Sequence, residues 1–145
     1  MKRIRHNEQY FSIDYDANAA YYNAKTESHD LYERNFATQI RFRNPELNEF
    51  FDNFAIDLVK PDELRHTDCS DGVRYELCYS AVGTIEGGEE YAIKISKMPI
   101  CVKQEPEGRL SITVSELILP WILLEGRGPE SAPQKGGLLK KLFRR

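Results

Sequence analysis

The strongest constraint on the fold is the alternation of apolar and polar residues that begins at Val73 and continues to Val114. Successive side chains of a β-strand point to opposite faces, so this pattern predicts strands with one buried and one solvated face. A turn sequence at Glu105–Gly108 separates the strand candidates Met98–Lys103 and Arg109–Val114. We therefore expect an antiparallel meander. The alternating apolar positions are Tyr75, Leu77, Tyr79, Ala81, Ile85, Tyr91, Ile93, Ile95, Leu110, Ile112 and Val114.

The segment from Val73 to Ser96 is predicted to be a β-hairpin, and the side-chain period selects its loop. A two-residue turn at Gly87-Gly88 sends the apolar sets of the two strands to opposite faces, because a shift by one residue inverts every side chain. A three-residue loop, Glu86–Gly88, brings both sets to one face. This register predicts a left-handed backbone at Gly88.

The first half of the chain mixes helix and strand signals. Tyr10–Tyr15 and Phe36–Arg43 alternate like strands, whereas Ala17–Lys25 fits either a short helix or a loop. Asn44-Pro45-Glu46 is a helix-start sequence, and the apolar residues that follow recur at helical spacing from Leu47 to Leu58. The predicted fold class is α+β: an antiparallel sheet of four to five strands, one amphipathic aromatic-faced helix and a flexible C-terminal tail.

The run Leu117–Leu124 has seven apolar residues in eight, interrupted by Pro120. Ser115 could cap a final helix, but a proline ring opposes its continuation, so the run is interpreted as a bent helix or a buried strand. It belongs to the core or to a subunit interface. Together with the unpaired edges of an open sheet, it leads us to expect a homo-oligomer.

The end of the chain divides into two parts after a predicted single folded domain at residues 1–125. Residues 126–137 are rich in Gly and Pro and predict a flexible linker, and residues 138–145 form a basic amphipathic tail. Such a segment is expected to dock on an anionic membrane surface or on an acidic protein. The predicted docking residues are Leu138, Leu139, Lys140, Lys141, Leu142, Phe143, Arg144 and Arg145.

The net charge has opposite signs in the predicted domain and in the C-terminal segment. Residues 126–145 hold six Lys or Arg and one Glu, a net charge of +5, so the overall charge of -3 leaves -8 on residues 1–125. An acidic domain argues against direct nucleic-acid binding by this body. The polar N-terminus and the odd number of cysteines are typical of a cytoplasmic protein, and the tail allows peripheral membrane attachment.

Candidate chemical sites are few. His66, Cys69 and Asp71, with Cys78 nearby, offer metal-ligand types but lack the paired short spacings of a zinc site. No catalytic, cofactor-binding or metal-binding residue is assigned, and no cofactor is expected. The acidic clusters Asp14, Asp16 and Glu86, Glu89, Glu90 are interpreted as surface charge around turns.

Eleven of the sixteen aromatic residues lie in residues 1–54. Aromatic side chains at helical or strand spacing usually pack in a core, and the alternative is a groove that stacks on a peptide or a base.

The order of two strands followed by a long hairpin, from Asp71-Gly72-Val73-Arg74-Tyr75-Glu76 through Gly87-Gly88-Glu89-Glu90 to Ile95, resembles the central hairpin of SecB-type export chaperones. The resemblance covers about residues 8–103. It implies a four-stranded antiparallel sheet, assembly into dimers or tetramers, and a groove for unfolded polypeptides.

A second resemblance is confined to the tail. The sequence Lys135-Gly136-Gly137-Leu138-Leu139-Lys140-Lys141-Leu142-Phe143 is similar to the C-terminal membrane-targeting helix of MinD-type division-site ATPases. No phosphate-binding loop accompanies it, since no Lys-Ser/Thr pair follows Gly87-Gly88. The resemblance implies a mode of attachment to a surface.

These features predict a non-enzymatic cytosolic binding or adaptor protein, SecB-like and peptide-binding in one interpretation, that docks through its tail. One alternative is an inhibitor of phage or mobile-element type whose acidic body mimics nucleic acid, for which a contiguous acidic face is expected. The other is an enzyme with a scattered site, for which a convergent pocket with an acid and His66 is expected.

Overall fold

The computed structural model describes residues 1–27 and 30–126, which form seven strands and three helices. The α+β class is confirmed, with more strands and helices than the alternation alone indicated. The strands are β1 (Lys2–His6), β2 (Gln9–Ile13), β3 (Glu63–Cys69), β4 (Gly72–Ile85), β5 (Glu90–Ile95), β6 (Met98–Glu105) and β7 (Arg109–Leu119), and the helices are α1 (Tyr15–Ala24), α2 (Leu31–Arg43) and α3 (Pro45–Asp52).

The strands form one antiparallel sheet in the order β1-β2-β4-β7-β6-β5, and β3 pairs with β4. β4 is 14 residues long, and its first half pairs with β3 while its last residues pair with β2. One face of the sheet carries the core. On the opposite face, the intervening side chains of β4 and β7 are partly or fully exposed, and apart from Val82 and Ile118 they are short polar or charged residues.

The predicted Val73–Ser96 hairpin is wrong, because β4 and β5 do not pair. β4 pairs with β7, and β5 pairs with β6. The connection Glu86–Glu89 instead runs past the end of β6, where the Gln104 backbone N–H donates to the Glu89 carbonyl at 2.8 Å. Gly87 has a φ of 81°, and Gly88 is not among the residues with positive φ. β4 and β5 are consecutive in sequence but are not neighbours in the sheet, so the side-chain period of the two strands did not predict their partners.

The predicted strand Phe36–Arg43 is also wrong: these residues form the last two turns of α2. Asp30 caps the helix, because its carboxylate accepts from the backbone N–H groups of Tyr32 and Glu33 at 2.9 and 3.2 Å. The helix buries Phe36 and leaves Phe42 67% exposed. An alternating stretch of this length fits both periods, and the cap upstream decides between them.

In this region the structure selects the helix of two open alternatives, confirms one predicted helix start and shortens that helix. Ala17–Lys25 lies mainly in helix α1, and Pro45 begins α3 at its first turn. α3 ends at Asp52, so Leu58 lies in the following segment, where it is buried. Ala55 has a φ of 62°, a left-handed conformation that does not continue a right-handed helix.

The predicted turn between the last two strands of the meander is confirmed. β6 and β7 are joined through the Pro106–Gly108 turn, with Glu105 opposite Arg109. β7 continues to Leu119, so the first part of the Leu117–Leu124 run is a strand and Ser115 caps no helix. A register shift opposite Tyr75 and Leu77 coincides with a left-handed Glu116, at a φ of 58°.

Candidate functional site

The sequence-predicted docking residues 138–145 lie outside the described residues, as does most of the predicted linker, residues 127–137. The chain does show where that segment begins. The described part ends at Gly126, immediately after residues that cross α2. The candidate sites described below lie on the folded part of the chain and around this exit point.

Strand β3 is an edge strand that the sequence did not predict. Its residues pair with β4 from Glu63 opposite Cys78 to Cys69 opposite Gly72, and no described strand pairs with its other side. His66 and Cys69, which the sequence offered as metal-ligand types, both lie in this strand. The turn is the Ser70-Asp71 pair alone, and Gly72 follows with a φ of 142°. An unpaired edge offers backbone N–H and C=O groups to another extended chain.

A concavity of about 200 Å³ lies between the edge strand β3 and helix α2, and we name it the β3 groove. Its lining is part apolar and part polar, and on the apolar part Phe36 is buried while Leu64 and Ala37 are half-buried. Two acidic residues, Glu27 and Glu33, stand among its lining. The full lining is Glu27, Glu33, Arg34, Phe36, Ala37, Thr38, Val59, Pro61 and Leu64.

An aromatic stack adjoins this groove. The exposed His66 ring lies parallel to the Tyr32 ring with centroids 3.7 Å apart, and Tyr32 meets Trp121 edge-on at 5.3 Å. The Tyr32 hydroxyl donates to the carboxylate of Asp68 at 3.2 Å. The stack joins α2, β3 and the C-terminal segment, and it contains the only tryptophan of the chain.

The segment Pro120–Glu125 is held across α2 by buried amides. Asn35 donates to the Pro120 carbonyl at 3.1 Å and accepts from the Ile122 backbone N–H at 2.9 Å. Gln39 donates to the same Pro120 carbonyl at 2.8 Å. Arg34, which lines the β3 groove, pairs with Glu125 at 3.1 Å. The chain therefore leaves the described structure beside the groove.

A second concavity lies on this edge, and its lining residues bear on the enzyme interpretation. Its volume is about 520 Å³, and its lining includes both His66 and Glu76. In the strand register, however, Arg65 is opposite Glu76 and His66 is opposite Tyr75, so the two side chains point to opposite faces. Glu76 lies 3.9 Å from Arg65. No hydrogen bond between His66 and a carboxylate is present in residues 1–27 and 30–126.

A polar cleft of about 270 Å³ lies between α3 and the tips of two hairpins. The Nδ1 atom of His6 lies 2.8 Å from the Tyr91 hydroxyl, and its ring meets Phe50 edge-on. Burial lowers the pKa of His6. The remaining charged residues of the cleft are Glu46, Glu49 and Lys94, and the first of these accepts from the Ser96 hydroxyl at 3.2 Å.

A third polar cluster is centred on Asp62. Its carboxylate accepts from Tyr21 and Lys25 at 2.6 and 2.7 Å through one oxygen and from Ser80 at 2.6 Å through the other. Burial raises the pKa of Asp62, but these hydrogen bonds outweigh it and the net pKa is lowered. Together these contacts connect the end of α1 to β4 through Asp62, which indicates a structural role for the cluster.

The cysteines do not form a reactive site. Cys69, Cys78 and Cys101 are free thiols, and burial raises the pKa of Cys78 and Cys101, which disfavours the nucleophilic thiolate. Within the described residues, no group of three His, Cys, Asp or Glu side chains converges to hold a metal ion. In the same residues, no helix has both the length and the apolar character needed to cross a membrane.

The signals for the β3 groove were present in the sequence but dispersed. Leu64, Val59 and Ala37 belong to three separate segments, and only the packing of α2 beside β3 brings them together. His66 is of a metal-ligand type but was not assigned as a ligand, and in the structure its ring stacks on Tyr32. No known protein family, curated protein or solved structure matches this chain.

Proposed function

We propose that this protein is a non-enzymatic binding protein that holds an extended peptide segment along the outer edge of β3. The observation that carries the proposal is the seven-residue strand whose outer side has no described partner strand and which borders a groove with apolar and acidic lining residues. A peptide that adds to a sheet edge gains main-chain hydrogen bonds, and its alternate side chains enter neighbouring pockets. This mode matches the peptide-binding function that the SecB resemblance implies.

The groove defines the chemistry of the peptide. Its volume of about 200 Å³ is on the scale of a side-chain anchor, because small-molecule sites usually occupy about 300–1,000 Å³. Phe36, Val59 and Leu64 favour an aliphatic or aromatic anchor. Glu27 and Glu33 favour Lys or Arg next to that anchor, while Arg34 is already paired with Glu125. The expected ligand is an extended, apolar and basic segment.

The alternatives receive less support from the described surface. A nucleic-acid mimic needs a contiguous acidic face, but the surface carboxylates Glu86, Asp57 and Glu76 each lie beside an arginine. An enzyme needs convergent catalytic groups, and His66 is stacked on Tyr32 away from Glu76. The tail's attachment to an anionic membrane or acidic protein and the homo-oligomer stay sequence-based predictions.

The proposal is tested by probing an array of short random peptides with the full-length protein. Enrichment of peptides with an aliphatic or aromatic residue beside Lys or Arg is expected. Binding should weaken about tenfold or more in Leu64→Glu and in Ala37→Glu, because each places a carboxylate on the apolar part of the groove lining. Ile118→Glu is the matched control, since Ile118 is 47% exposed and lies outside the groove lining.

Main-chain pairing has a separate test. The best array peptide is resynthesised with N-methyl groups on alternate residues, in both phases. One phase should abolish binding and the other should retain it, because only every second N–H of an added strand faces the edge. Equal binding by both forms, or equal loss in Ile118→Glu and Leu64→Glu, would show that the β3 edge is not the binding site.

A further inference from the structure

We infer that residues 138–145 of this same chain occupy the β3 groove when no partner is bound, so that the tail competes with the peptide ligand. This inference rests on the proposed peptide-binding function of the groove and adds its regulation. Three observations support it: the point at which the described chain ends, the length that follows, and the charge and apolar character of the tail.

The exit point lies beside the groove. After β7, the chain crosses α2, where Asn35 and Gln39 hold the Pro120 carbonyl and Arg34 pairs with Glu125. Arg34 is itself a lining residue of the groove. The Trp121 indole N–H donates to the Glu125 carbonyl at 2.7 Å, which closes a tight loop just before Gly126. The described chain thus ends at a defined position next to the proposed site.

The length of the intervening chain suits a local contact. Residues 127–137 comprise 11 residues, and a Gly-rich chain of that length has an end-to-end distance of about 17–20 Å. Because the described chain ends at the border of the groove, a linker of this length allows the tail to reach the groove. Tethering on this scale gives effective concentrations of about millimolar, so even a weak contact within the chain is populated.

The tail matches the chemistry that the groove selects. Leu138, Leu139, Leu142 and Phe143 supply apolar anchors within a segment that also carries Lys140, Lys141, Arg144 and Arg145. The groove lining combines apolar side chains with Glu27 and Glu33, and residues 1–125 carry a net charge of -8 against +5 for residues 126–145. Electrostatic complementarity on this scale favours association of the two.

Competition is measured with a labelled synthetic peptide of residues 135–145 added to full-length protein. In Leu142→Asp/Phe143→Asp the chain's own tail loses two of its four apolar anchors and gains two negative charges, so the added peptide should bind about tenfold more tightly than to the unmodified protein. Gly136→Asp/Gly137→Asp is the matched control, because it adds the same charge outside the apolar face and should bind the peptide as the unmodified protein does.

A crosslink reports the contact directly. A photoreactive benzoylphenylalanine at position 143 should crosslink to residues 59–64 or 33–38 within a single chain, and Ala37→Glu should abolish that product. Crosslinks that form only between two chains would overturn the inference in favour of exchange between copies. Crosslinks elsewhere on the body would overturn it as well.

The failure of this inference is distinguishable from failure of the proposed function. If the added peptide binds all three proteins equally and Ala37→Glu abolishes that binding, the groove binds peptides but the tail does not occupy it. If array peptides bind through the groove and the 135–145 peptide does not, the inference alone is overturned. If Leu64→Glu and Ala37→Glu leave the binding of the array peptides unchanged, both the proposed function and this inference are overturned.

Discussion

The hydroxyl of Tyr91 lies 2.8 Å from Nδ1 of His6, which joins the two strands at opposite ends of the sheet order. Tyr91 is on β5 and His6 ends β1. The same hydroxyl lies 3.2 Å from the His6 carbonyl and accepts from Asn7 at 3.3 Å. The Tyr91 ring also meets the buried Phe11 at 5.5 Å. The sheet is therefore curled, and its two ends touch over the core.

Tyr91→Phe should lower the free energy of unfolding by about 1–2 kcal/mol, because it removes the hydroxyl that links His6 and Asn7 while keeping the ring. Urea denaturation monitored by circular dichroism measures the change. Tyr15→Phe is the control, since the Tyr15 side chain is exposed, and it should stay within about 0.5 kcal/mol. Equal shifts in the two variants would contradict the proposed closure of the sheet.

His6 should titrate below its ordinary pKa of about 6.5, because burial between Phe50 and Tyr91 disfavours the charged ring. The unfolded chain then binds the proton more tightly than the folded protein. Stability is fully present above the unfolded pKa and falls as the pH drops through that value toward the folded one.

NMR titration of the His6 ring and urea midpoints across this pH window measure both effects. His6→Gln should flatten the pH dependence in that window, because it removes the titrating group while Glu46, Glu49 and Lys94 remain in the cleft. A His6 pKa at or above about 6.5, or an unchanged pH slope in His6→Gln, would contradict the assignment.

Gly87→Ala should destabilise the protein by about 1 kcal/mol, and Gly88→Ala should leave it nearly unchanged. Gly87 has a φ of 81°, which costs a side-chain-bearing residue, although a Cβ there meets nothing within 4 Å. Gly88 has open space and no positive φ. Urea midpoints of the two variants decide the matter. A greater loss of stability in Gly88→Ala than in Gly87→Ala would contradict this assignment and would favour the three-residue loop predicted from the sequence.

Asn35→Leu should destabilise the protein by about 2–3 kcal/mol, because it leaves the Ile122 N–H without its side-chain acceptor and removes one of the two amide donors to the Pro120 carbonyl. Fluorescence of Trp121 should change as well, since the segment that holds it against Tyr32 is released. Thr38→Ala on the exposed side of α2 serves as the control. A Trp121 spectrum that is unaltered in folded Asn35→Leu would show that Asn35 does not hold this segment.

The sequence alone determined the elements whose signals are local. The helix start at Asn44-Pro45 and the turn at Pro106–Gly108 depend on caps and turn residues within a few positions, and both are present. The alternation of Leu110, Ile112 and Val114 likewise predicted a half-buried strand, and all three are buried. Short-range backbone preferences and side-chain periodicity are sufficient for such features.

Pairing and the candidate site were decided only by the tertiary structure. Whether β4 pairs with β5 or β7 depends on which distant strand offers a matching apolar face, and the local register argument fits either partner. Phe36–Arg43 carries a pattern that suits two periods, and a cap at Asp30 with burial against the sheet selects the helix. The β3 groove joins segments far apart in sequence, because burial of apolar surface is non-directional and acts between whatever elements the topology brings together.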